Sequence, residues 1–373
     1  MSGTLVVEAE GGAVTMARMT QPSVTTQPSV IQTRGTLLDV EPLTTDAALP
    51  SAATNLLVRY ASEGVHGPIV VTGTVSLPPT TPPDGGWPVI NWAHGTVGTA
   101  NVCAPSANTR DGLVDEYVGL MDQTLDRWVA AGYVVLKTDY EGFGTDGEHP
   151  YMHGDSAANC LEDIVVAARS AEPRIGAQWV VVGHSQGGQA ALFAAAREDS
   201  PGLVGAVPIA PGGTGLSLLA PVIKEARPGS AGAIRFLPPL LVGAAAADPR
   251  VDPDALLTEK AHVLLDTIRT ACLPQSTLVA ETLLPEDVFR PDADLGPLTA
   301  YLLTQEVTGL PVHVPMLIVQ GLQDDLVTPR ATEHLVSTLP ADAVTYATYD
   351  GADHRQAVAD SFDDVLAFVK ALF

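Results

Sequence analysis

Hydrophobic positions along the chain fall into two rhythms. Residues 55–63 and 67–77 alternate or run apolar, the second stretch carrying Ile69-Val70-Val71-Thr72-Gly73-Thr74-Val75. Both predict strands. Short β-branched runs at 87–93, 133–138, 179–182 and 203–210 predict further strands. Between them, 113–131 and 156–170 carry apolar residues at helical spacing, and the Ala-rich run 189–197 predicts a third helix. Residues 78–86 form a Pro/Gly loop. The alternation resumes at 314–320 (strand), 331–339 (helix), 343–349 (strand) and 357–373 (helix). Strands alternating with helices imply an α/β fold with a mostly parallel central sheet flanked by helices on both faces.

From 211 to 312 the rhythm changes. Helix-like segments at 217–226, 233–247, 254–272, 276–284 and 286–303 are broken by prolines. The pattern predicts a helical cap of about 100 residues, the size of a small domain, over the C-terminal strand ends. The expected organisation is an N-terminal extension over 1–53, loosely ordered or wrapping; a core of 54–210 and 313–373; and a cap of 211–312. There is no internal repeat.

Composition narrows the function classes. The 373 residues carry 19 basic and 43 acidic side chains, a net charge of −24. Lysine occurs only at 137, 224, 260 and 370. Such a surface repels nucleic acid, because no basic patch exists to neutralise phosphates. No run reaches the ~20 apolar residues that span a bilayer, so no integral membrane segment is expected. Residues 1–30 are rich in Thr, Gln, Ser and Pro and lack the basic start and apolar stretch of a signal peptide. That leaves an intracellular chain, or one whose leader was replaced, as the two expectations. Three cysteines, Cys103, Cys160 and Cys272, leave at least one thiol unpaired within a chain. Their spacing and that of the histidines fit no metal site.

The chemistry centres on Gly183-His184-Ser185-Gln186-Gly187, set between the run 179–182 and the Ala-rich helix. A serine flanked by glycines at a strand-to-helix corner is the G-x-S-x-G nucleophile elbow. A serine hydroxyl needs a base to take its proton, and that base needs a carboxylate to orient it. In this fold the order is Ser, acid, His, which confines the search to the residues after Ser185. Asp324, in the loop after the strand 315–320, fits the spacing better than Asp325. His354 lies in a loop at a strand end, whereas His334 sits inside a helical pattern. Ser185, His354 and Asp324 are therefore the expected nucleophile, base and orienting acid. The expected oxyanion donors are the N–H groups of Gln186 and Thr96, with the Gly95 N–H as second choice.

Other residues are read more plainly. His184 is expected to hydrogen-bond under the elbow rather than to transfer protons. His149 and His153 bracket Pro150 with no further ligand, so a metal there is not expected. Glu141 is expected to hold its loop through hydrogen bonds. The candidate substrate-facing set is Gly95, His184, Phe236 and Leu240. The apolar cap runs 234–242 and 298–303 fit an acyl tunnel and fit packing against the core equally well.

Trp92-Ala93-His94-Gly95-Thr96, Cys103-Ala104-Pro105-Ser106, Asp139-Tyr140-Glu141-Gly142 with the segment 147–154, and Gly183-His184-Ser185-Gln186-Gly187-Gly188 occur in that order. Together they resemble the secretory lipase family, the lipase A type of α/β-hydrolase, over residues 56–373. The resemblance implies lipase or carboxylesterase activity and a triad at Ser185, Asp324 and His354. It also implies a disulfide from Cys103 to Cys272 with Cys160 free, and export of the chain, for which no leader is visible. The expected function is serine ester hydrolysis without metal or organic cofactor, on short- to medium-chain acyl esters or lipid esters. Acyl transfer to another alcohol, amide hydrolysis and a non-catalytic binding protein are the rival expectations.

Overall fold

A computed structural model describes residues 33–373. Of the N-terminal extension expected over 1–53, loosely ordered or wrapping, residues 1–32 lie outside the described residues. Nine strands form one sheet: β1 Leu37–Pro42, β2 Thr54–Gly64, β3 Gly67–Leu77, β4 Trp87–Ala93, β5 Val134–Thr138, β6 Ile175–His184, β7 Leu203–Ile209, β8 Met316–Gly321 and β9 Val344–Tyr349. Their order across the sheet is β1-β2-β3-β5-β4-β6-β7-β8-β9. The pairs from β5 through β9 are all parallel, whereas β1, β2 and β3 join antiparallel. Strands β5 and β8 are buried along their whole length. Both open on apolar runs, Val134-Val135-Leu136 and Met316-Leu317-Ile318-Val319, because helices cover both faces of a parallel sheet.

Strand β1 departs from the expected extension over 1–53. It is an edge strand with mostly exposed side chains, and its pairing with β2 is a long-range bond pattern that local apolar spacing does not display. Pro42 is tolerated there because an edge strand needs hydrogen bonds on one side only.

Three helices pack on the part of the sheet that carries the elbow: α1 Asp115–Ala130, α2 Gly154–Ala171 and α3 Gln186–Ala195. All ten residues of α3 are buried, and Ala190, Ala191, Ala194 and Ala195 let the sheet approach closely. The expected single C-terminal helix is split into Gln356–Asp360 and Phe362–Lys370.

The cap lies between β7 and β8 and has its own apolar core, to which Leu237, Leu241, Leu264 and Leu302 contribute. Two expected helices are shorter than their sequence patterns. The run 254–272 breaks into Pro253–Leu256 and His262–Ile268, because Leu257 pairs with Phe289 and the Thr258 hydroxyl takes the Ala261 N–H. The run 286–303 yields the α-helix Gly296–Thr304, whose start is held by Asp294 Oδ1 on the Gly296 N–H at 2.9 Å. Ser230–Ala247 is apolar enough, by length and composition, to cross a membrane; more than half of it is buried within the protein. The cap is tied to the core beside β4. Cys103 and Cys272 are disulfide-bonded with Cα atoms 5.6 Å apart, and the Leu273 N–H donates to the Val97 carbonyl at 2.8 Å. Cys160 is a buried free thiol.

On the interior strand β5, Lys137 holds the segment before β2. Its Nζ donates to the Ala47 carbonyl at 2.8 Å and to Asp122 Oδ1 of α1 at 2.7 Å, all in buried surroundings. Removing one member of a buried pair strands the other charge. Lys137→Met is expected to lower unfolding free energy by about 3–5 kcal/mol, read from urea denaturation midpoints. A change below about 1 kcal/mol would show that Asp122 is resolvated at no cost.

Candidate active site

Ser185 sits where β6 ends and α3 begins. Its backbone has φ 58° and ψ −112°, a conformation that L-residues rarely hold. Hydrogen bonds on both sides fix it: its N–H donates to the Ile209 carbonyl at 3.0 Å, and its carbonyl accepts from Gly212 N–H at 2.9 Å. The flanking glycines are required by space. A Cβ on Gly183 would collide with the Gly187 carbonyl, and one on Gly187 with the Ala93 carbonyl at the end of β4. The corner thus lifts the serine side chain off the sheet, where it remains half-exposed. Its Oγ makes no hydrogen bond among the described residues.

His354 and Asp324 come from the loops after β9 and β8. His354 Nδ1 lies 2.7 Å from Asp324 Oδ2. The carboxylate is buried and fully occupied: Oδ1 accepts from the N–H groups of Leu326 and Val327 at 2.8 and 2.9 Å, and Oδ2 also from Gln320 Nε2 at 3.1 Å. Acceptor-only bonding of this kind makes Nδ1 the protonated nitrogen of His354 and leaves Nε2 as a base. The two loops are laced together by the Gln323 N–H on the Ala352 carbonyl at 2.9 Å. Asp325 and His334 are exposed. His354 reaches the elbow through its own carbonyl, 2.9 Å from Nε2 of His184, the residue before Ser185. No Ser185–His354 hydrogen bond is formed in this structure. Such bonds are often long before substrate is bound.

The backbone N–H groups of Gln186 and Thr96 have no protein acceptor among the described residues, whereas the Gly95 N–H donates to the Tyr117 hydroxyl at 2.7 Å. That bond removes Gly95 as the alternative oxyanion donor. Gln186 opens α3, so its N–H also carries the positive end of the helix dipole. The Thr96 hydroxyl is paired with that of Tyr151 at 2.7 Å.

A cavity of about 200 Å³ opens beside Ser185 and Gln186. The cap side contributes Leu216, Leu219, Phe236 and Leu240, and the core side Tyr151 and Met152. No charged side chain lines it among the described residues. Gly95 and His184, expected to face substrate, do not line it. The Gly95 amide is spent on Tyr117, and His184 is buried beneath the elbow with both ring nitrogens bonded. Sequence reasoning missed Tyr151 and Met152. Only the packing of their loop under the cap gives them a role, although Met152 also has a left-handed φ of 62°.

Buried neutral histidines surround the site. His149 Nδ1 donates to the Glu141 carbonyl at 2.8 Å, so Nε2 accepts from the Gln186 side-chain amide at 3.0 Å. Burial pushes the His149 imidazole down to about 3 and that of His94 to about 4. His153 accepts the Ser156 N–H at the start of α2. His149 and His153 are thus both used as hydrogen-bond partners.

A family model described as Hydrolase_4, serine aminopeptidase S33, matches residues 112–265. The match holds the elbow and stops before Asp324 and His354. No curated protein sequence matches. Among solved structures, Candida antarctica lipase A in its closed state is similar with a TM-score of 0.75 and 20% identity, over 92% of this chain and 84% of that one. The rice cell wall degrading esterase LipA from Xanthomonas oryzae is similar with a TM-score of 0.69 and 19% identity, over 91% and 97%.

Lowered imidazole pKa values make stability depend on pH. The unfolded chain protonates His149 below about 6.5, whereas the folded chain resists until about 3. The folded state therefore loses stability as pH falls through that window. His149→Gln is expected to flatten the slope of unfolding free energy near pH 5 by about 1.4 kcal/mol per pH unit. An unchanged slope in urea titrations at several pH values would mean that the ring is protonated in place. The elbow, the sheet order and the structural neighbours together make the fold of this chain the α/β-hydrolase fold.

Proposed function

We propose that the chain is a serine carboxylic ester hydrolase acting through an acyl-enzyme on uncharged short- to medium-chain acyl esters. One observation carries this reading: a serine held at a strained corner opens onto an uncharged apolar cavity, with a carboxylate-bound histidine anchored to the adjacent residue.

In the proposed cycle, His354 Nε2 takes the Ser185 proton as Oγ attacks the ester carbonyl. Asp324 holds the proton on Nδ1 and stabilises the imidazolium that forms. The N–H groups of Gln186 and Thr96 receive the oxyanion. His354 then protonates the departing alcohol, and a water molecule repeats the sequence to release the acid.

The matched family's description and the esterase and lipase neighbours name two substrate classes, amides with a free amino end and esters. The cavity favours the second. A free α-amino group needs a carboxylate partner in a dry pocket, and the described lining offers none. An acyl chain needs only apolar wall, which Leu216, Leu219, Phe236 and Leu240 supply. The size of the cavity favours short chains over palmitate. Transfer of the acyl group to an added alcohol in place of water uses the same residues and is separated by product analysis.

A panel of p-nitrophenyl esters from acetate to palmitate is expected to show hydrolysis of the shorter members. Ser185→Ala should lose about 10⁴-fold or more in kcat and all labelling by a fluorophosphonate. Leu240→Trp should move the preferred chain length shorter, by narrowing the cavity. A chain that neither hydrolyses any ester nor is labelled at Ser185 would be a binding protein, not an enzyme.

A further inference from the structure

Beneath the elbow runs a chain of three hydrogen bonds that the proposed cycle does not use. The Gly95 N–H donates to the Tyr117 hydroxyl at 2.7 Å. That hydroxyl lies 2.9 Å from His184 Nδ1. His184 Nε2 lies 2.9 Å from the His354 carbonyl oxygen. All the side chains involved are buried.

The proton positions follow from the two ends. A peptide N–H only donates, so the Tyr117 oxygen accepts from Gly95. Its single proton then goes to His184 Nδ1, which must present a lone pair. A carbonyl only accepts, so His184 carries its proton on Nε2 and gives it to His354. Every link has one donor and one acceptor, and a doubly protonated ring would set two protons against each other at Tyr117. Burial, with the nearby His354 and Arg355, keeps the His184 imidazole neutral by pushing its pKa well below the usual histidine range.

What this chain joins is informative. At one end is the backbone of the proposed base, whose ring is held separately by Asp324. At the other is the loop that carries Thr96. The Gly95 carbonyl, which shares a peptide with the Thr96 N–H, is gripped by His94 Nδ1 at 2.7 Å. In a trans peptide the N–H points opposite its carbonyl, so fixing Gly95 at both ends aims Thr96. In the middle, His184 precedes Ser185. A Cβ on Gly95 would stand 2.5 Å from the Tyr117 oxygen and 3.1 Å from His184 Nδ1, so the chain also requires glycine at that position.

We propose that Tyr117 and His184 are positioning residues, a two-side-chain strut that holds the His354 backbone and the Gly95–Thr96 peptide in register about Ser185. The kinetic part of this inference rests on the ester-hydrolase reading; the proton arrangement does not. Tyr117→Phe keeps the ring and removes the link. It is expected to lower kcat on a short p-nitrophenyl ester about 10- to 100-fold while KM stays within about 3-fold, because the bonds lost matter to the transition state rather than to acyl binding. His184→Leu should behave alike, and His184→Gln, which restores a donor near Nε2, should recover part of the loss. The double variant Tyr117→Phe/His184→Leu should be no worse than the weaker single one, since both cut the same strut. A folded Tyr117→Phe with kcat within about 3-fold of the parent, or losses that multiply in the double variant, would overturn the proposal.

The second measurement is ¹⁵N imidazole NMR on the parent chain. His184 should remain the neutral Nε2–H tautomer from about pH 5 to about 8. An Nδ1–H tautomer overturns the strut whatever the activity. If the parent hydrolyses no ester, the functional reading falls, and the strut is then decided by the tautomer alone.

Discussion

The close approach of β6 and α3 is the constraint on which the rest of the site depends. A Cβ at residue 183 would meet the Gly187 carbonyl, and one at residue 187 the Ala93 carbonyl at the end of β4. The strain of a left-handed serine costs on the order of 1–3 kcal/mol and persists only because its surroundings over-determine it. Here those surroundings are the Ile209 carbonyl, the Gly212 N–H and a helix buried along its whole length. The same corner directs the first N–H of α3 outward and brings His184 beneath the His354 loop. The proposed nucleophile, one proposed oxyanion donor and the anchor of the proposed base are thus consequences of one turn.

Around that turn the polar groups are satisfied in one direction only. Carbonyls of Gly95, Glu141 and His354 each take a proton from a histidine ring, and the carboxylate of Asp324 takes four donors. Such networks are rigid because a buried donor without an acceptor is expensive. Among the described residues the Ser185 hydroxyl and the N–H groups of Gln186 and Thr96 have no partner, and these are groups that the proposed acyl transfer would use; the buried Gln186 Oε1 and Thr214 Oγ1 are unpaired as well. Against a surface of net charge −24, the uncharged cavity lining is a local exception. An apolar wall beside Ser185 lowers the local polarity of the space next to it, which strengthens dipoles aimed into it.

The cap has a core of its own, yet it is not independent of the catalytic side. Tyr151 and Met152, on the loop before α2, belong to the cap's apolar cluster, and Tyr151 pairs with Thr96. The Cys103–Cys272 bond and the Leu273–Val97 hydrogen bond fasten the cap beside the same loop. The size of the cavity and the position of the Thr96 loop are therefore set by one set of contacts.

Much of this was legible in local sequence. Strands β3 and β4 match their apolar runs to the residue, because most of each strand is buried and leaves a nearly continuous pattern. The glycines of the elbow are visible because only glycine meets that steric demand, and Asp324 and His354 follow from chain order and loop position. Local pattern failed where a partner distant in the chain decides the outcome. Strand β1 exists through its pairing with β2, and the cap helices stop where Leu257 meets Phe289 rather than where apolar spacing ends. No spacing rule connects residues 95, 117, 184 and 354; their hydrogen bonds appear only once the sheet order has brought two loops, a helix and a strand end together. Sequence alone therefore determined the elbow and the loop positions of the candidate residues, since steric and periodic demands act on neighbours. Tertiary structure decided their protonation, their orientation and the shape of the cavity, since those depend on burial and on partners far along the chain.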